Sequence, residues 1–178
     1  SERGLVPDFL IRAGIRNLCK KRLAQCRVDD CEANAELAEE YLRNVDQSAL
    51  AVETDKANAQ HYEVPAEFYH LVLGKNLKYS CCCYDPGTHG LDQAEDRALK
   101  LTCKRADLQD GQEILELGCG WGSLSLWMAK HFPKSRIRSV SNSHSQREYI
   151  MGTAKERGLN NLEVVTADVN AFKPDQSY

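Results

Sequence analysis

The sequence predicts an α/β protein in which a helical N-terminal extension leads into a parallel sheet. Three observations carry this. Glu113-Ile114-Leu115-Glu116-Leu117 is a short apolar strand that runs into glycines at 118, 120 and 122 and then directly into a helical pattern. From there to residue 169 strand-like and helix-like segments alternate, as a parallel sheet with crossover helices requires. Before residue 60 the chain reads as polar helices and a linker.

Each element has its own signal. Pro7-Asp8 starts a helix over residues 7 to 26, with Phe9, Leu10, Ala13, Leu18 and Leu23 expected near one face and Arg12, Arg16, Lys20, Lys21, Arg22 and Arg27 giving it a basic character. The next helix, 30 to 44, is acidic through Asp30, Glu32, Glu36, Glu39 and Glu40, so a solvated, ion-paired helix pair is expected. Contact of the basic helix with anionic phospholipid is the alternative. Residues 46 to 60 are polar and read as a linker or short helix. Pro65 opens a helix to about Leu73, stopped by Gly74, and Tyr79 to Tyr84 is extended or irregular up to the turn Asp85-Pro86-Gly87. A helix over 91 to 107 precedes the glycine-loop strand. After the loop come a helix at 123 to 131, a strand with Ile137 and Val140, a helix at 144 to 157 ended by Gly158, and a strand from Leu162 to Thr166.

Composition bounds the function. With 178 residues, 28% charged residues and a net charge of −3, the chain holds one domain plus an extension and has no signature of a global nucleic-acid binder. No run approaches the length of a membrane span. The eight cysteines fit neither paired zinc spacing nor a stapled scaffold, so free thiols in a reducing cytoplasmic setting are expected, with no metal.

Strand, glycine turn and helix form the geometry that holds a nucleotide-like ligand at a helix N-terminus. The spacing is G-x-G-x-G preceded by Glu116-Leu117, whereas the dinucleotide fingerprint is G-x-G-x-x-G. The loop has no Lys or Arg before Lys130, and Glu116 places negative potential beside the ligand, which suits a cation better than a pyrophosphate. A tight glycine turn in some other α/β domain is the competing explanation.

Several separate stretches resemble the coclaurine N-methyltransferase and cyclopropane-fatty-acid synthase family of S-adenosyl-L-methionine (SAM)-dependent methyltransferases. They are His61-Tyr62 with Phe68-Tyr69, Tyr79-Ser80-Cys81-Cys82, Glu116 to Gly122 with Trp121, Ser141 to Gln146, and Ala167-Asp168-Val169. The resemblance implies the first half of a Rossmann-like class I methyltransferase sheet, with residues 1–60 as helical extension, 61–108 as a cofactor-covering helical segment and 109–178 as the sheet domain's first half. It implies that Gly118 and Gly120 approach the methionine half of SAM, that Tyr79 and Ser80 close over its carboxylate end, and that Asn142 and Gln146 contact it from the second strand. Asp168 would accept from the adenine amino group and the Val169 backbone would read the ring edge. In the cyclopropane-synthase branch the cysteine after Tyr-Ser lies near a bicarbonate, which makes Cys81 a candidate there. Taken alone, Asn142 could cap the next helix and Asp168 could be a turn residue.

The implied activity is methyl transfer to a small-molecule amine, with modification of lipid acyl chains and a non-catalytic SAM-binding fragment as alternatives. Related enzymes keep a Glu-His acid–base pair after a fourth strand, so catalytic residues are expected beyond Tyr178. The chain is expected to be the N-terminal part of a longer protein and inactive alone.

Overall fold

The computed structural model describes residues 6–26, 30–51 and 66–178, in two compact units, Ser1–Ala49 and Leu50–Tyr178. Arg27, His61, Tyr62 and Pro65 lie outside the described residues.

The first unit contains α1 (Asp8–Cys26) and α2 (Cys31–Gln47). Asp30 caps α2 by accepting the Glu32 N–H at 2.9 Å. Asp8–Arg12 and Glu39–Arg43 are i,i+4 ion pairs within α1 and α2, exposed and so worth only about 0.3–0.5 kcal/mol each. The expected single apolar face of α1 is not formed: Phe9, Leu10, Leu18 and Leu23 are each more than half exposed. At about 100° per residue Leu18 lies half a turn from Phe9, so these side chains spread around the helix. In α2, Leu37, Tyr41, Leu42 and Val45 do share one face and are all exposed.

The second unit opens with α3 (Ala66–Val72) and α4 (Leu91–Arg105), and then alternates β1 (Glu113–Leu117), α5 (Ser123–His131), β2 (Arg136–Ser141), α6 (His144–Glu156) and β3 (Leu162–Thr166). All three strands are parallel, in the order β1-β2-β3, with Ile114 opposite Ile137 and Ile137 opposite Leu162. Strand alternation puts these residues and Val164 on one face. They pack there against Cys103 of α4, Leu126, Met128 and Ala129 of α5, and Ile150 and Ala154 of α6. The opposite face is thinner. Leu117 is 51% exposed there, and Arg138 bridges Glu163 at 3.0 Å and Asp175 at 2.5 Å. Among the described residues β1 is paired on one side only. The side-chain amide of Asn170 clamps the Ala51 backbone, accepting its N–H and donating to its carbonyl, each at 3.0 Å.

Two carboxylates, one half-buried and one fully buried, organise this unit. On the helix-covered face, Glu116 of β1 accepts from Ser125 of α5 at 2.5 Å and from its strand neighbour Ser139 at 2.9 Å, joining three elements through one oxygen. Burial pushes this carboxyl above the ordinary carboxylate range, and the two hydroxyls oppose the shift.

The second is Glu95 of α4, which is 0% exposed. Its oxygens accept the N–H groups of Gly74, Asn76 and Lys78 at 2.9, 2.8 and 3.1 Å. Asp92 takes the Lys75 N–H at 2.8 Å, and Asp96 holds Lys75 Nζ at 2.6 Å and Asn76 Nδ2 at 2.8 Å. Gly74 is required for this approach and not as a helix stop, since α3 already ends at Val72. A Cβ at position 74 would lie 2.7 Å from Glu95 Cδ and from Asp92 Oδ1. Leu77, in the middle of the gripped turn, is buried with φ +50°. Non-glycine residues adopt that region only where the surroundings over-determine it.

Glu95→Ala leaves three buried N–H groups without an acceptor and is expected to cost about 3–5 kcal/mol in urea unfolding. Glu95→Gln, which keeps one oxygen, should lose clearly less. A loss under about 1 kcal/mol for the alanine variant would show that the turn stands without the clamp. For Glu116 the native state holds its proton more tightly than the unfolded chain does. Its contribution is therefore fully present at low pH and lost as pH rises through the raised value. Glu116→Gln should accordingly gain stability relative to wild type as pH rises above the ordinary carboxylate range, about pH 4, into the neutral range. Paired urea midpoints across that range check this, and a flat difference would contradict it.

Candidate functional site

The carboxyl ends of three parallel strands open on the same edge of the sheet, where ligands of open α/β folds bind. At the end of β1 the chain turns through the glycine loop, fixed by the Gly118 and Cys119 N–H groups donating to the Val140 carbonyl at 2.9 and 3.1 Å. Gly118, Gly120 and Gly122 have φ of +79°, +53° and +79°. They are glycine for two different reasons beyond that conformation. A Cβ on Gly118 or Gly120 would meet nothing within 4 Å, so both present bare backbone to open space. A Cβ on Gly122 would lie 2.5 Å from Ile150 Cγ1, so this glycine lets α6 pack against the start of α5. Its carbonyl accepts the Leu126 N–H at 2.9 Å, beginning α5.

That open space is a cleft of about 330 Å³. Lys78, Tyr79 and Ser80 line one side of it, and Glu116, Gly118 and Gly120 the other. An aromatic chain joins the two sides. Tyr69 of α3, 2% exposed, lies 5.3 Å (centroid to centroid) from both Tyr79 and Trp121, and Trp121 lies 5.5 Å from Tyr149 of α6. Ser80 Oγ accepts from Lys78 Nζ at 2.5 Å, and the same ammonium donates to the Cys81 carbonyl at 2.8 Å. The structure thus brings Tyr79, Ser80, Gly118 and Gly120 together in one cleft.

The other expected residues lie at the ends of the neighbouring strands. Asn142 follows β2, and Asp168 is two residues past the end of β3, with the Ala167 N–H bonded to the Ser141 carbonyl at 2.9 Å between them. Neither lines the glycine-loop cleft itself. Asn142 does not cap α6, because Ser143 does, through the Gln146 N–H. Asp168 does make a turn, accepting the Asn170 N–H at 2.8 Å. Val169 is half-buried beside it. Gln146 is 2% exposed, and its Oε1 accepts from Ser141 at 2.7 Å while its Nε2 has no partner. Trp121 Nε1, Ser123 Oγ and Thr166 Oγ1 are likewise buried without partners among the described residues. Buried polar groups are normally satisfied, and two of these four residues, Trp121 and Ser123, line the glycine-loop cleft.

Glu116 lines the cleft as expected, but one of its oxygens serves the two serines, so less of its charge faces a ligand than the sequence implied. Burial pushes the Cys119 thiol up to about 12 and Cys103 up to about 11, which makes both packing groups and not nucleophiles. Sequence reasoning gave no role to Lys78, Glu95 or Ser141. The acidic spacing Asp92, Glu95, Asp96 on one helix face was the available signal for the clamp. A larger groove of about 760 Å³, containing Trp127 and His131, shares no residue with this cleft and none of the orphaned atoms.

Comparison with known proteins agrees with this geometry. An (S)-coclaurine N-methyltransferase of Thalictrum flavum subsp. glaucum is 39% identical over 99% of this chain and 49% of its own length. The crystal structure of coclaurine N-methyltransferase bound to N-methylheliamine and SAH superposes with TM-score 0.86 at 37% identity, over 98% of this chain and 50% of that one. The cyclopropane synthase MmaA2 from Mycobacterium tuberculosis shares the fold, with TM-score 0.62 at 22% identity over 70% of this chain and 44% of that one. The chain spans about half the length of the curated relatives it matches. A family model described as mycolic acid cyclopropane synthetase matches residues 51–174. With its three parallel strands, glycine loop and matching span, this chain belongs to the mycolic acid cyclopropane synthetase family.

Proposed function

We propose that this chain supplies the SAM-binding part of an N-methyltransferase acting on a small-molecule amine. The observation that carries it is the open glycine backbone at 118 and 120, which lines one cleft with Tyr79 and Ser80 at the carboxyl end of β1. The residues fit such a cofactor. Tyr79, Ser80, Gly118 and Gly120 would hold its methionine half, Asn142 and Gln146 its central part, and Asp168 with the Val169 backbone its adenine. In this arrangement residues 61–108 cover the cofactor, residues 109–178 form its sheet platform, and residues 1–60 are a helical extension. When bound, SAM supplies an electrophilic methyl on a sulfonium for in-line displacement. The chain's own part is to bind, orient and keep water away, which is where most of such an enzyme's advantage arises.

The amine reading is supported by likeness to a named amine N-methyltransferase along nearly the whole chain, whereas the likeness to a cyclopropane synthase covers 70% of it. The second reading, modification of lipid acyl chains, draws on the family description and on the basic character of α1. No described helix is long and apolar enough to cross a membrane. Mass spectrometry after incubation of the full-length protein with SAM and either secondary amines or unsaturated phospholipid vesicles separates the two.

Titration calorimetry should detect binding of S-adenosylhomocysteine to the chain. Gln146→Leu should weaken it about tenfold, the value of one hydrogen bond of about 1.4 kcal/mol. Gly120→Val should abolish it, because a β-branched residue can adopt neither the positive φ nor the close approach. Absence of binding to the wild type at millimolar ligand would defeat the proposal.

A further inference from the structure

We propose that Lys78 reads the carboxylate at the amino-acid end of the cofactor and so sets preference for ligands that carry it; this rests on the SAM reading above. The cleft contains one ammonium and one carboxyl of fixed position, Lys78 and Glu116. Glu116 is engaged by Ser125 and Ser139, and burial favours its protonated form. Lys78 is different. It is half-buried, and among the described residues no carboxylate comes within ion-pair distance of its Nζ. An ammonium with no carboxylate in reach keeps its charge available to an arriving anion.

The side chain is also held in place before any ligand binds. Its backbone N–H is fixed on Glu95 at 3.1 Å, and its ammonium donates to Ser80 Oγ at 2.5 Å and to the Cys81 carbonyl at 2.8 Å. An ammonium has three donors, so one N–H is left over. By accepting from Lys78, the Ser80 hydroxyl is free to turn its own proton outward. Two donors, one of them charged, thereby lie side by side on the lining of the cleft that also contains the Gly118 and Gly120 backbone. That pair suits a carboxylate and offers nothing to an uncharged thioether. Preorganisation means that little side-chain entropy is lost on binding, which sharpens discrimination.

The test compares two ligands that share adenosine and sulfur but differ in the amino-acid portion: S-adenosylhomocysteine, which has the carboxylate, and 5′-methylthioadenosine, which lacks it. Calorimetry on wild type, Lys78→Met and Lys78→Arg, with thermal unfolding as a folding control, gives the affinities. The wild type should prefer S-adenosylhomocysteine. Lys78→Met should lose about tenfold or more for S-adenosylhomocysteine while 5′-methylthioadenosine changes less than about twofold, the expected signature of one charged hydrogen bond. Lys78→Arg should recover part of the loss, and raising salt should narrow the wild-type preference. If both ligands weaken equally in Lys78→Met, the residue only props the segment and the inference is overturned. Unchanged S-adenosylhomocysteine affinity in Lys78→Met overturns it as well, leaving the SAM reading intact. A wild type that binds neither ligand overturns both.

Discussion

The Glu95 carboxylate sits where no water reaches it, and three backbone N–H groups surround it. Neither side of this arrangement is favourable alone. An isolated buried charge is strongly disfavoured, and so is a turn whose amides have no acceptor. Together they fix residues 74 to 78 against α4, force glycine at 74 and hold Leu77 in a left-handed conformation. The side chains that follow, Lys78, Tyr79 and Ser80, reach the glycine loop only because that turn does not move. A site wall made of irregular chain is thereby given the rigidity of a helix.

The opposite wall is rigid for another reason. Parallel pairing carries β1, β2 and β3 to a common edge, and the β1 loop is sewn to β2 by two N–H bonds to one carbonyl. Glycine serves two ends within three alternate positions. At 118 and 120 it leaves backbone bare toward the cleft, and at 122 it removes a side chain that would strike Ile150. The Tyr69, Tyr79, Trp121 and Tyr149 rings then span the two walls, so that the cleft is bounded by a clamp, a sheet edge and an aromatic seam.

Much of the fold could be read from the sequence. Ile114, Leu115 and Leu117 between polar flanks, and Leu162 to Thr166, are short apolar runs, and they form β1 and β3 as expected. The α5 and α6 helices begin at 123 and 144 as expected, although Ser143 and not Asn142 caps α6. The α1 face failed because leucines at uneven spacing add apolar content without direction, so Leu18 faces away from Phe9. In the site, Tyr79, Ser80, Gly118 and Gly120 were recognisable because motif and position coincide. Glu95 was not, since a glutamate in an acidic helix reads as solvated surface, and only the tertiary fold shows three amides aimed at it. Glu116 was legible as a residue beside the cleft, but its two serine partners come from α5 and β2, which no local pattern reveals.

The sequence distances spanned by these contacts also bear on assembly. Gly74 meets Glu95 across 21 residues, Glu113 meets Arg136 across 23, and Arg138 meets Glu163 across 25. Each partner therefore leaves the ribosome shortly after the group it pairs with, and each closure confines only a short loop. The clamp, the first strand pair and the second can form in the order in which they are made. The bond pair between Ala51 and Asn170 spans 119 residues and breaks this pattern. It is the one long-range latch among these contacts, and it fastens residue 51 to the segment that follows β3.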